Sequence, residues 1–275
     1  MTETRRIVID GVVREVAVED GVFTWIDGRK LQVSDAGHLP PVVPRNMVCV
    51  HLNYRSRLEE LQRKRPPAPT YFWKSVASLN GHKGKVLRPR NCRFLNYEGE
   101  IALVVGRTTR NIRPEEAAGY ILGYTVANDF GLHDFRDTDD NSMVRVKGSD
   151  TLGPLGPGLI AGWDFRDKWL RTIVDGKVVQ EANTSEFLWD PHYLLADLTR
   201  TITFERGDVI LTGTPANSRP IDPGSNIVVE VEGLGRLENS IVEAPIEVPA
   251  DFGAQPSASD AVQSVALGGD FFKHR

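Results

Sequence analysis

The chain has 275 residues with 33 basic and 37 acidic side chains, a formal charge of −4. That length and an ordinary apolar content suit one large domain or two small ones, and the charge balance gives no basic surface for nucleic acid. No apolar run approaches the ~20 residues of a membrane span. Met1–Arg6 lacks the apolar core of a signal peptide, and Cys49 and Cys92, the only two cysteines, have no metal spacing and suit free thiols in a reducing cytoplasm.

Residues 1–45 alternate in short β-like runs, with turn signals at Asp10-Gly11 and at Ile26-Asp27-Gly28-Arg29. They read as a small strand-rich unit that leaves through the Pro-rich run Leu39–Pro44. A strand follows over Met47–Leu52. The polar stretch Arg57–Arg65 is helix-prone and ends at Pro66-Pro67-Ala68-Pro69. This stretch, within residues 54–70, reads either as a mobile lid or as a plain surface helix. Tyr71–Lys74 is a short aromatic strand, and Ser78–Gly84 turns the chain.

Asn96–Gly106 organises the rest. Its second half is a short apolar run rich in β-branched residues, closed by Gly106, which predicts a buried strand. Glu98 and Glu100 stand two apart at its head, so in a strand they share a face. Adjacent carboxylates repel unless one is protonated or a cation sits between them, and hard divalent cations favour oxygen ligands. A solvated strand end with two surface glutamates is the plainer alternative.

Arg113–Ala118 has a helix-start pattern, with Pro114 and two glutamates in its first turn. Tyr120–Asp129 predicts another buried strand, one that ends on a carboxylate. The segment from Gly131 to Asp140 is crowded with charge and predicts a surface loop or short helix. Leu170–Gln180 reads as a hairpin, Tyr193–Arg200 as an amphipathic helix, Asp208–Pro215 as a strand opening into a turn, and Asn226–Gly233 as a half-exposed strand. Residues 248–275 form a small, polar tail that docks late or stays loose. Many short strands with two or three helices predict a β-rich α+β fold, with no G-x-G-x-x-G or Walker loop to support a nucleotide fold.

Several motifs fall in order between about residues 47 and 243: Leu52-Asn53-Tyr54-Arg55, Asn96–Glu100, Gly123–Asp129, Lys147–Thr151, Pro154–Pro157 and Thr212–Pro215. Each is weak alone. Together they resemble the fumarylacetoacetate hydrolase family, and Arg145-Val146-Lys147 ahead of Gly148-Ser149-Asp150 looks most like its homoprotocatechuate-pathway isomerase/decarboxylases, which act on 5-carboxymethyl-2-hydroxymuconate and its precursor. The resemblance implies a mixed β-roll or sandwich core over 46–247, a homodimer, and Mg²⁺ or Mn²⁺ held by Glu98, Glu100 and Asp129. It implies a 2-oxo acid substrate chelating that cation as an enolate forms. Lys147 would supply a second positive charge, its plainer role being a solvated surface lysine. Thr214 and Gly213 of the turn, with Asn128 and Tyr54, fall on the substrate side; a structural turn threonine is the alternative for Thr214.

One position departs from the family pattern. Hydrolytic members carry a histidine four residues after the motif's asparagine, paired with a glutamate three further on; here those places hold Arg57 and Glu60. Arginine stays protonated and cannot serve as a general base near neutral pH. This weighs against hydrolysis and leaves Arg57 to pair with a second substrate carboxylate. His51 and His133 remain as proton donors or as structural histidines. The leading expectation is a metal-dependent decarboxylase/isomerase of an unsaturated 2-oxo dicarboxylate from aromatic catabolism. A C–C hydrolase of acylpyruvates and a non-catalytic binding homologue are the competitors.

Overall fold

A computed structural model describes residues 1–25, 27–33 and 36–273. Of the turn read at Ile26–Arg29, Ile26 lies outside the described residues. The fold is strand-rich and mixed, as the short apolar runs require. Its main sheet has ten strands, with a path that runs Val12–Val18, Thr2–Ile9, Gly153–Ala161, Ile121–Asn128, Gly99–Val105, Val209–Leu211, Met47–Val50, Tyr71–Trp73. The N-terminal strand Thr2–Ile9 pairs antiparallel with Gly153–Ala161, so the first residues extend this sheet. A second sheet has the order Lys177–Asn183, Trp169–Val174, Asn226–Val231, Gly235–Glu243, Lys85–Arg88.

Gly99–Val105 is central and buried along its whole length, which explains its continuous apolar run. Ile101, Leu103 and Val105 enter the core shared with Val229, Val231 and Leu237 of the second sheet. Ala102 and Val104 enter a smaller cluster with Met47, Cys49, Ala127 and Leu211. Alternation along the strand puts Glu98 and Glu100 on the Ala102 side, at the end of that smaller cluster. A Leu103→Ala change in the core shared with the second sheet would cost about 2–5 kcal/mol, the usual range for emptying a packed site.

Three segments differ from their reading in the sequence. Residues 131–140 include the short helices His133–Phe135 and Arg136–Asp139, one of the two forms expected, but they lie partly inside: His133, Asp134, Phe135 and Asp139 are buried. The acids there serve as backbone acceptors. Asp134 takes N–H bonds from Arg93 at 2.7 Å and Phe94 at 2.8 Å, and Asp139 from Arg145 at 2.6 Å and Val146 at 2.8 Å. Such bonds satisfy a buried carboxylate that hydropathy alone would place in water. The polar helix spans only Arg55–Glu60, and Arg57 and Leu58 on it are buried. The tail is docked as two helices, Asp260–Ala266 and Gly269–Lys273, the first capped by Ser259 accepting from the Val262 N–H.

Candidate metal centre

The strand pair Gly99–Val105 and Ile121–Asn128 builds the site. Gly99 lies opposite Asn128, and the Asp129 N–H donates to the Glu98 carbonyl at 2.8 Å, so Asp129 stands across from Glu98. Glu100 is two residues on along the same face. Oxygens from Glu98, Glu100 and Asp129 lie within 4.8 Å of one another, and all three side chains are buried. Gly99 between the two glutamates is required by space: a Cβ there would meet Thr172 Oγ1 at 2.2 Å. Asn128 faces away, its Oδ1 accepting the Glu98 N–H at 2.8 Å.

Two buried ammonium groups face the trio. Lys147 Nζ is 2.6 Å from Glu98 Oε2 and 3.0 Å from Asp129 Oδ2. Lys74 Nζ is 2.7 Å from Asp129 Oδ1 and donates to the carbonyls of Phe130 at 3.2 Å and Lys147 at 2.7 Å. The three acids therefore differ. Burial opposes ionisation of Glu98, but the Lys147 ammonium together with His133 and Arg57 outweighs it and holds that carboxyl well below its usual range. Burial, then the charges of Asp129 and Glu98, push Glu100 well above its usual range. Burial works against the Lys147 charge, yet Asp129 and Glu98 raise its pKa.

A cavity of about 330 Å³ opens beside the trio, lined in part by Glu98, Asp129, Lys147, His51, Arg57 and Thr214. His133 also lines it. Burial lowers His133 to about 4, and its Nε2 lies 3.7 Å from Glu98 Oε1, beyond hydrogen-bond reach. Burial, with Arg136 and Lys147 nearby, lowers His51 to about 4 as well. The Thr214 hydroxyl accepts from Gln180 Nε2 at 3.1 Å. Gly213 donates its N–H to Glu100 Oε2 at 2.6 Å from a left-handed backbone, φ 94. Tyr54 is fully buried against Phe187 and is not among the cavity's lining residues. Arg57 Nη1 binds Glu60 Oε2 at 2.6 Å, so Arg57 is already paired. Sequence reading misses Lys74 and Arg136 as site residues. Lys74 follows three aromatic strand residues, and nothing in that pattern signals a buried ammonium.

Residues 46–242 match the family model described as fumarylacetoacetate (FAA) hydrolase, C-terminal. The chain belongs to the fumarylacetoacetate hydrolase family. It is an enzyme of that family, with relatives that include three proteins named as isomerase/decarboxylases. It is 36% identical over 199 residues to the 4-hydroxyphenylacetate degradation bifunctional isomerase/decarboxylase of Salmonella dublin, covering 71% of this chain and 46% of that protein. The chain thus spans about half the length of that relative. It is 37% identical over 239 residues to an uncharacterized protein of Archaeoglobus fulgidus, covering 86% of this chain and 95% of that one. The solved 5-carboxymethyl-2-hydroxymuconate delta-isomerase of Mycobacterium smegmatis superposes with a TM-score of 0.81 at 35% identity, covering 89% of this chain and all of that one.

The residues of this fumarylacetoacetate hydrolase family member fit a hard divalent cation. The three donors are all carboxylate oxygens, two from one strand and one from the end of its neighbour. The buried Asp129 Oδ1 has no aligned hydrogen bond despite the nearby Lys74 ammonium. Glu100, repelled by both neighbours, makes no ion pair among the described residues and accepts the Gly213 N–H.

Proposed function

We propose that the chain is a divalent-metal-dependent decarboxylase/isomerase of an unsaturated 2-oxo dicarboxylate, of the 2-hydroxymuconate type, in aromatic catabolism. The observation that carries this reading is the buried trio Glu98, Glu100 and Asp129 beside a cavity with no free general-base dyad. Mg²⁺ or Mn²⁺ held by the trio would supply a Lewis acid for the developing enolate.

The chain's own groups supply the rest. Lys147 fixes a positive charge beside Glu98 and Asp129, facing the cavity. Arg63, Lys64 and Arg136 line the same cavity and make no ion pair among the described residues, which suits a distal carboxylate. Arg57, spoken for by Glu60, is a poorer receptor than the sequence suggests. Isomerisation of a 2-hydroxymuconate takes the proton from the enol hydroxyl and delivers one to a carbon of the chain, leaving the 2-oxo form. His51 and His133, both neutral near pH 7 and both on the cavity wall, are the groups for that transfer.

Water activation at the Arg57–Glu60 position is disfavoured by geometry as well as by residue type. Glu60 Oε2 accepts from Arg57 at 2.6 Å and from the Asn217 N–H at 3.0 Å, and Oε1 accepts from Arg219 at 2.6 Å. Burial acts to raise the Glu60 pKa, but Arg57 and Arg219 outweigh it and lower it, making Glu60 a weak base. A homodimer is part of this proposal, and sedimentation equilibrium reads it. The buried free thiols Cys49 and Cys92 support a reducing compartment such as the cytoplasm. No helix among the described residues is long and apolar enough to cross a membrane.

A spectrophotometric assay on 5-carboxymethyl-2-hydroxymuconate and on an acylpyruvate, with and without EDTA, tests the proposal. Turnover of the first, abolished by EDTA and restored by Mg²⁺ or Mn²⁺, is expected. Turnover of the acylpyruvate alone would overturn it in favour of a C–C hydrolase, and turnover of neither would favour a binding homologue.

A further inference from the structure

The tail beyond residue 242 lies outside the matched family residues, yet Ser264, Val265 and Phe272 line the metal-site cavity. It is held there at three places. At its start, the Ser257 and Ser259 hydroxyls donate to Asp137 at 2.6 Å and 3.0 Å, and the Ser257 N–H donates to the Asp134 carbonyl at 2.8 Å. In its middle, Val262 and Ala266 are fully buried, and Asn96 Nδ2, from the strand leading into Glu98, donates to the Ala266 carbonyl at 2.8 Å. Near its end, Arg219 Nε binds Asp270 Oδ2 at 2.8 Å while the same guanidinium binds Glu60 Oε1 at 2.6 Å.

The last anchor explains Glu60. Its carboxylate joins Arg57 of the helix, Arg219 beyond the Thr214 turn and, through Arg219 and Asp270, the tail. The packing is close. Gly268 has a left-handed φ of 51, and a Cβ there would meet Glu60 Oε1 at 2.7 Å and Arg219 Nη1 at 2.8 Å. The cavity is acidic and lysine-lined at the trio, cationic at Arg63, Lys64 and Arg136, and apolar at Val265 and Phe272.

We propose that Val265 and Phe272 are specificity-determining residues: the tail supplies the apolar wall along which the carbon chain of a 2-oxo dicarboxylate lies, and Glu60 is the positioning residue that holds this wall. The inference rests on the metal and 2-oxo acid reading above and adds what selects chain length. A short chelating dianion needs only the trio and its lysines. A longer substrate needs the wall as well, because its methylene or vinyl carbons must leave water against something apolar.

The test is titration calorimetry on the full chain with Mn²⁺, using oxalate as the short probe and 2-oxoheptanedioate as the long one. Phe272→Ala and Val265→Ala should each weaken 2-oxoheptanedioate about tenfold, the scale of a lost apolar contact, while oxalate changes by less than about twofold. Retained oxalate binding also reports that the variant is folded. Gly268→Ala, which drives a Cβ into the Glu60–Arg219 pair, should lower 2-oxoheptanedioate affinity in the same direction and raise hydrogen exchange across residues 260–273. Unchanged discrimination between the probes in both wall variants would overturn the inference. So would a wild-type chain that binds oxalate but not 2-oxoheptanedioate, and that result leaves the metal reading standing. Failure of the wild-type chain to bind either probe with Mn²⁺ would overturn both.

Discussion

Replacing Lys74 with Met keeps the side chain's length and removes one charge from beneath the carboxylates. Lys74 is 2% exposed, and its ammonium lies 2.7 Å from Asp129 Oδ1. Without it, three buried carboxylates face one ammonium instead of two, and the carbonyls of Phe130 and Lys147 lose a donor. Removing one partner of a buried pair costs about 3–5 kcal/mol, because the other charge stays buried without compensation. With a urea slope of about 3 kcal/mol/M, the metal-free midpoint should fall by roughly 1–1.7 M. Mn²⁺ should move in the opposite direction: the site is one charge more negative, so the ion binds at least as tightly as in the wild type. Mn²⁺ at 100 times its Kd adds about 2.7 kcal/mol to either chain if it binds only when folded, so the gap narrows only by as much as the variant binds the ion more tightly. Urea denaturation of both chains, with EDTA and with Mn²⁺, reads both effects. An unchanged metal-free midpoint for Lys74→Met would refute the view that this ammonium balances the trio.

Gly213→Ala should weaken Mn²⁺ about tenfold by calorimetry, since a left-handed backbone costs a non-glycine residue about 1–2 kcal/mol; the added Cβ would also meet Asn53 Cβ at 2.8 Å and disturb the N–H that holds Glu100. Stability should fall as pH drops from 6.5 toward 4. Burial lowers His38 to about 4 and His82 to about 3 from 6.5, so between those values the unfolded chain binds more protons than the folded one. His82 Nδ1 also accepts the Glu238 N–H at 3.1 Å, a bond that protonation there would break. The thermal midpoint of His82→Asn, which keeps an acceptor, should depend less steeply on pH over that window; parallel profiles would count against the assignment.

The central strand is legible because Ile101–Val105 can be buried on both faces only inside a sheet. The three acids can be selected because period-two alternation puts Glu98 and Glu100 on one face and the next acid ends a neighbouring buried run. What pattern reading cannot supply is which charges burial has already paired. Asp134 and Asp139 look solvated in the sequence, but backbone N–H groups satisfy them, from about 40 residues away for Asp134 and from the next short helix for Asp139. Arg57 looks available to a substrate, yet Glu60 takes it. Lys74 comes to Asp129 from across 55 positions of chain, through strand pairing that no local signal encodes. Whether the polar tail docks or stays loose is left open by its sequence, because its anchors are hydrogen bonds to Asn96 and Asp137 and an ion pair to Arg219 rather than a long apolar stripe.

Titration of the metal-free chain with Mn²⁺, followed by the loss of the free ion's electron paramagnetic resonance signal, tests the central claim most directly. One ion per chain is expected for the wild type, and none for Glu98→Gln or Glu100→Gln under the same conditions. Equal uptake by those variants, or no uptake by the wild type at millimolar ion, would contradict the account.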